Sequence, residues 1–193
     1  MTDTPDLQHT LDKVLQEIQA LPQRRTPLVL ALDGRASAGK TTLALALARE
    51  LQGAVIHMDD FFLPPELRTP QRRSTPGGNV HYERFQQEVL PFLHQPAPFR
   101  YRRFSCSLGC LDEEQEVAGE NTWRIVEGAY ALHPAFGDYA DIAFFYSISP
   151  QEQHQRILKR NGPEKAQVFQ SLWIPLEEEY IRVCRPQDRA ILL

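Results

Sequence analysis

The tightest constraint on this chain lies in one short run, Gly34-Arg35-Ala36-Ser37-Ala38-Gly39-Lys40-Thr41. It spells G-x-x-x-x-G-K-T, the phosphate-binding or Walker A loop pattern. The apolar run Leu28-Val29-Leu30-Ala31-Leu32 precedes it, and Thr42 to Leu51, rich in leucine and alanine, follows. The pattern works only where a strand feeds a loop that opens a helix, and these flanks predict that setting. Gly34 and Gly39 allow a tight turn that brings backbone N–H groups close to a phosphate. The helix beginning near Lys40 aims its unpaired N–H groups and positive dipole end at the same anion. Lys40 is expected to reach the β- and γ-phosphates and the Thr41 hydroxyl to sit on Mg²⁺. Ala36, Ser37, Ala38 and Thr42 complete the expected nucleotide contacts.

A length of 193 residues predicts one domain, residues 1 to 193, with residues 1 to 22 as an N-terminal helical extension. The net charge of −4 gives no support for nucleic-acid binding, so an anionic ligand must be held by local positive groups. Cys106, Cys110 and Cys184 are an odd set and read as reduced thiols rather than a disulfide framework. No segment is apolar for long enough to span a membrane. Asp3 and Asp6 sit where a secretory signal would be basic. A cytoplasmic enzyme is the expectation.

Residues 5 to 21 carry Leu7, Leu11, Val14, Leu15, Ile18 and Leu21 at helical spacing, with Thr4-Pro5 as a start signal and Pro22 as a stop. Packing on the domain is the expected use of this stripe; a homodimer contact is the alternative. Strand one is expected over 27 to 32 and the first core helix is expected to close at Gly53. Strand two, residues 54 to 58, runs into Asp59-Asp60-Phe61-Phe62. Acids at the carboxyl end of a parallel strand lie on the ligand edge of an open α/β sheet, so Asp59 or Asp60 is placed to act as a base or to meet Mg²⁺.

Residues 63 to 80 are polar and proline-rich, with Arg68, Arg72 and Arg73, and read as a binding segment or lid. A helix is expected over 82 to 93, opening on Tyr82. Phe99 to Cys106 alternates aromatic and basic residues and pairs with 114 to 117 as a hairpin. Tyr101 and Arg103 on it are candidates for a substrate wall. Strand three, 123 to 126, ends in Glu127-Gly128, which makes Glu127 the second acid on the Mg²⁺ side; Gly128 suggests close ligand approach. Strand four spans 142 to 148. Ser149 caps a helix through Arg160, with Glu152 completing a capping box. Asn161-Gly162-Pro163 breaks the chain before a last helix, 164 to 183, that Pro175 must kink or split. Residues 189 to 193 could form an edge strand.

Four pieces in this order resemble the uridine kinase-like branch of P-loop kinases, which includes nicotinamide riboside, pantothenate and phosphoribulose kinases. They are Gly34 to Thr42, His57 to Pro64 with its Asp-Asp-Phe-Phe, Val126 to Tyr130, and Gln155 to Arg160 with the segment after it. The resemblance spans about residues 27 to 193. It implies an α/β P-loop fold: a parallel five-stranded sheet with helices on both faces, a lid and a small substrate-side hairpin. It implies an ATP- and Mg²⁺-dependent kinase acting on a small-molecule hydroxyl, with Asp59 as base, Glu127 near the metal, and Arg156, Lys159 and Arg160 as lid cations. Asp60, Phe62, Tyr82, Tyr101 and Arg103 fall on the acceptor side. The chain departs from the family where the lid has fewer arginines and where the hairpin keeps its aromatic start but lacks a histidine. An ATPase or nucleotide-binding regulator without an acceptor is the rival reading.

Overall fold

The computed structural model describes residues 7–22, 26–105 and 107–193. The Thr4-Pro5 start signal and Cys106 lie outside them. Five parallel strands form the central sheet in the order β2-β5-β1-β6-β7: β1 Leu28–Gly34, β2 Gly53–His57, β5 Trp123–Glu127, β6 Ile142–Tyr146 and β7 Ile191–Leu192. A separate antiparallel hairpin pairs β3 Phe99–Ser105 with β4 Cys110–Val117. The helices are α1 Leu7–Gln19, α2 Lys40–Glu50, α3 Pro70–Ser74, α4 Tyr82–Glu88, α5 Pro150–Val168 and α6 Ile174–Cys184.

β1 is buried along its whole length, as a central parallel strand must be. Its side chains alternate between two cores. Val29 joins Ile56, Phe61, Phe85 and Val126 on one face, while Leu28, Leu30 and Leu32 join Leu43, Leu47, Ile125 and Phe144 on the other. Leu11 and Val14 of α1 enter this second core, so the N-terminal stripe packs on the domain. Fully burying each such side chain contributes about 1.5–3 kcal/mol.

Several local expectations change. Gly53 does not close α2. Leu51 is the C-cap, Gln52 takes the left-handed backbone (φ 51°), and Gly53 already pairs with Trp123 as the start of β2. β1 runs further than its apolar stretch, through Asp33 to Gly34. The helix after Tyr82 stops at Glu88, because Pro91 forces the chain into a short 3₁₀ turn at Leu90–Phe92. β6 ends at Tyr146, short of the expected 148, and β4 begins earlier than expected, at Cys110. Residues 63 to 80, expected as a binding segment or lid, are ordered, and Arg68 and Asn79 of this stretch line the cavity of the candidate active site. The stretch holds a 3₁₀ turn, α3 and a Phe62–Val80 bridge, and Arg72 ties it down through Glu83, two carbonyls and the Tyr82 ring.

Ser149 caps α5 as expected, accepting from the Glu152 N–H, while the Glu152 carboxylate receives Arg156. The break at Gly162 (φ 79°, ψ 170°) is only one residue wide, and the helix resumes at once. Pro175 is absorbed differently from a simple kink. A π-helical turn, Phe169–Trp173, precedes it, and Pro175 falls in the first turn of α6, where its missing N–H costs least.

Candidate active site

The carboxyl ends of β1, β2 and β5 open onto a cavity of about 560 Å³. Pairing sets this edge: Leu32 and His57 both stand beside Glu127 in the parallel register. The phosphate loop forms its floor. Gly34 has φ 139°, and a Cβ there would meet the Tyr146 carbonyl oxygen at 2.0 Å, so only glycine lets β1 pass β6 into the loop. Ser37 and Gly39 also take positive φ, and α2 starts at Lys40 with no side chain capping its N–H groups. Lys40 is buried, and its Nζ donates to the Gly34 and Arg35 carbonyls at 2.8 Å each. Ala36, Ser37, Gly39, Lys40, Thr41 and Thr42 line the cavity. Gly34 and Ala38 act from beneath, as turn and packing.

Glu127 ends β5 almost fully buried. Its Oε1 accepts the Thr41 hydroxyl at 3.1 Å and lies 2.6 Å from His57 Nδ1. That hydrogen bond raises the His57 pKa above its ordinary 6.5, against the opposing effect of burial. Asp59 faces the same space. It is open to the cleft yet walled in by protein around it. That enclosure, with repulsion from Glu127, raises its pKa, while Lys40 and His57 pull the other way. Among the described residues no three His, Cys, Asp or Glu side chains cluster to hold a metal unaided. Mg²⁺ needs less: one or two protein oxygens plus phosphate oxygens and water. The Thr41 hydroxyl and the Glu127 carboxylate, side by side at the head of α2, fit that demand.

Asp60 turns the other way. It is buried, accepting Tyr101 Oη at 3.0 Å and Arg103 Nε at 3.1 Å. The three anchor the hairpin to the end of β2, and none of them lines the cavity. Tyr82 is likewise engaged elsewhere, stacked on His133 at 5.0 Å beneath Arg72. Gly128 does line the cavity, and packing also demands a glycine there. A Cβ there would sit 2.8 Å from Met58 Cβ, so the glycine serves the approach of β2 and β5.

Phe62 and Arg160 do line the cavity, as does Arg156. Arg156 Nη1 donates to the Ser37 and Ala38 carbonyls, at 3.2 and 2.7 Å, bracing the loop from α5. Lys159 is exposed and outside the lining.

Several residues that shape the site were not singled out from sequence. Asp33 is buried and receives Gly34 N, Tyr130 N, Leu132 N and Tyr180 Oη, tying β1 to the turn after β5 and to α6; burial raises its pKa even so. Glu177 accepts Ala36 N at 2.6 Å and Gln153 Nε2 at 2.7 Å, while Glu178 pairs with Arg35. Asn79, Tyr130, Phe169 and Trp173 complete the walls. The one available signal was Pro175, which announced an irregular helix beside Trp173.

A parallel sheet of this order, with a glycine loop leading from its central strand into a helix, defines the α/β P-loop nucleoside triphosphatase fold. No protein-family model matches the chain, and no curated protein does. Among its solved structural neighbours are three described as kinases. A possible uridine kinase from Bacillus stearothermophilus superposes with TM-score 0.73 at 19% identity, over 97% of this chain and 98% of that one. A candidate fructose transport system kinase from a Silicibacter species gives 0.70 at 22% identity, over 97% and 96%. A D-glycerate 3-kinase from Cryptococcus neoformans gives 0.60 at 17% identity, over 90% and 87%. These likenesses establish the fold. No described helix is long and apolar enough to cross a membrane.

Proposed function

We propose that the protein is an ATP-dependent kinase that transfers the γ-phosphoryl group to a hydroxyl of a small metabolite, nucleoside-like or related. The observation that carries this reading is the convergence of two strand-end acids, Asp59 and Glu127, on the cavity floored by the phosphate loop. A loop that only bound nucleotide would have no use for a second, substrate-facing carboxylate. The kinase names of the structural neighbours support the same class.

Such chemistry is mostly positioning and charge neutralisation. The loop amides, the start of α2 and Lys40 hold the triphosphate. Glu127, oriented by His57, and Thr41 would hold Mg²⁺, which when bound neutralises charge on the transferring phosphoryl group. Asp59 orients the acceptor hydroxyl. As the acceptor oxygen bonds to the γ-phosphorus, the bond from that phosphorus to the β,γ-bridging oxygen breaks. ADP leaves with the electron pair, and the hydroxyl proton passes to Asp59. Burial holds the pKa of Asp59 above the ordinary carboxylate value, so in the metal-free protein it takes up its proton earlier as pH falls.

Asp59→Asn is expected to lower acceptor phosphorylation by about 10²–10⁴-fold while ATP affinity, read by titration, stays within a few-fold. A variant that transfers phosphate at the wild-type rate would remove Asp59 from the mechanism.

A further inference from the structure

The cavity has a far end that phosphoryl transfer alone does not require. Phe62, Arg68, Asn79 and Trp173 line both the main cavity and a side pocket of about 20 Å³, which Arg73 also lines. Resting on the kinase reading above, we propose that the phosphoryl acceptor carries an anionic group, a carboxylate or a phosphate monoester, and that Arg68 and Arg73 receive it.

The cations argue for this first. Arg68 is held by its Nε on the Leu63 carbonyl at 2.7 Å and lies 5.9 Å from the Phe104 ring, while its terminal nitrogens bond no described residue. Arg73 has no ion pair among the described residues. Arg72 between them is fully engaged, with a bidentate Glu83, two carbonyls and the Tyr82 ring. One short segment therefore uses one guanidinium for folding and leaves two open, Arg68 on the cavity and Arg73 on the side pocket beside it. In a chain of net charge −4 that placement is selective. A free guanidinium fork matches the planar oxygens of a carboxylate or phosphate.

Asn79 points to the rest of the acceptor. It is 9% exposed, and its Oδ1 has no partner among the described residues. Asn79 lines both the cavity and the side pocket, so a turn of its side chain would offer that oxygen to a second hydroxyl of the acceptor. Phe62 and Trp173, with ring centroids 6.0 Å apart, offer the carbon skeleton an apolar edge; the π-helical turn delivers Trp173 there. The acids Asp59 and Glu127 lie at the phosphate end. An acceptor with one negative end is thus held away from the triphosphate, its hydroxyl toward Asp59.

The test is ADP release at saturating ATP with matched acceptors: glycerol against glycerate, and a free pentose and hexose against their phosphate esters. We expect the acidic member of at least one pair to be preferred, with the carboxylate and ester arms telling the two chemistries apart. Arg68→Gln and Arg73→Gln should each raise KM for that acceptor roughly tenfold at near-constant kcat, and Arg68→Lys should restore part of the loss. Activity on neutral acceptors only, or a KM effect on ATP instead of the acceptor, overturns the anion assignment and leaves the kinase reading standing. ADP release that no acceptor stimulates overturns both.

Discussion

At one end of the cavity the phosphate loop, Ala36 to Thr42 apart from Ala38, supplies the lining. At the other end, Phe62, Arg68 and Asn79 come from one stretch and Trp173 from the π turn, all acting through side chains. The first end is bounded by geometry that few sequences satisfy, the second by packing that many sequences satisfy. The difference teaches where tolerance lies. Changes to the loop should be felt in folding and in every nucleotide-dependent step, whereas changes around the hairpin should be mild unless they touch the cavity wall.

The hardest test of that contrast is Gly34→Ala. Its Cβ would sit 2.0 Å from one backbone atom of Tyr146 and 2.7 Å from another, at φ 139°. We expect a loss of about 3 kcal/mol or more, seen as a collapse of the melting temperature or of soluble protein. A variant that melts with the wild type would show that the loop tolerates what the geometry forbids. Asp33→Asn comes next. It replaces an acceptor-only group by one with an N–H facing donors such as the Leu132 N–H, at a cost of about 2 kcal/mol. Melting should drop by about 4–8 °C for a domain of this size.

On the other side of the comparison, Tyr101→Phe removes the hydrogen bond to Asp60 and should cost about 1 kcal/mol. The acceptor KM should scarcely move, and a large change in it would return the hairpin to the substrate wall. The smallest effect is a slope. The pKa of His57 is raised by its hydrogen bond to Glu127, so the stabilisation from this pair is complete below the pH where the unfolded histidine titrates, near 6.5. It is lost as pH rises through the higher folded value. The wild type should therefore lose some thermal stability across that window, and His57→Gln should flatten the curve.

The same contrast explains how much could be read from sequence. The loop, the strand-end acids Asp59 and Glu127, the parallel sheet and the hairpin all announce themselves by spacing or by an apolar run. Asp59 and Asp60 are adjacent and chemically identical, so no local pattern says which one faces the cavity. Only the partners do, and Tyr101 and Arg103 take Asp60. Arg68, Arg72 and Arg73 look alike in sequence, yet Glu83 binds only the middle one. Asp33 was hidden as one polar residue after an apolar strand, and Glu177 in a run of three glutamates. Which carboxylate reaches the loop depends on the helical phase of α6, which the π turn resets.

The reach of α6 back to the loop also has a consequence for the order of synthesis. Ala36 waits for Glu177, 141 residues later; Arg35 waits for Glu178, 143 later; and Asp33 waits for Tyr180, 147 later. On a growing chain the phosphate loop leaves the ribosome early and stays without these braces until α6 has followed. The segment most identifiable from its letters is thus among the last to be fixed in place.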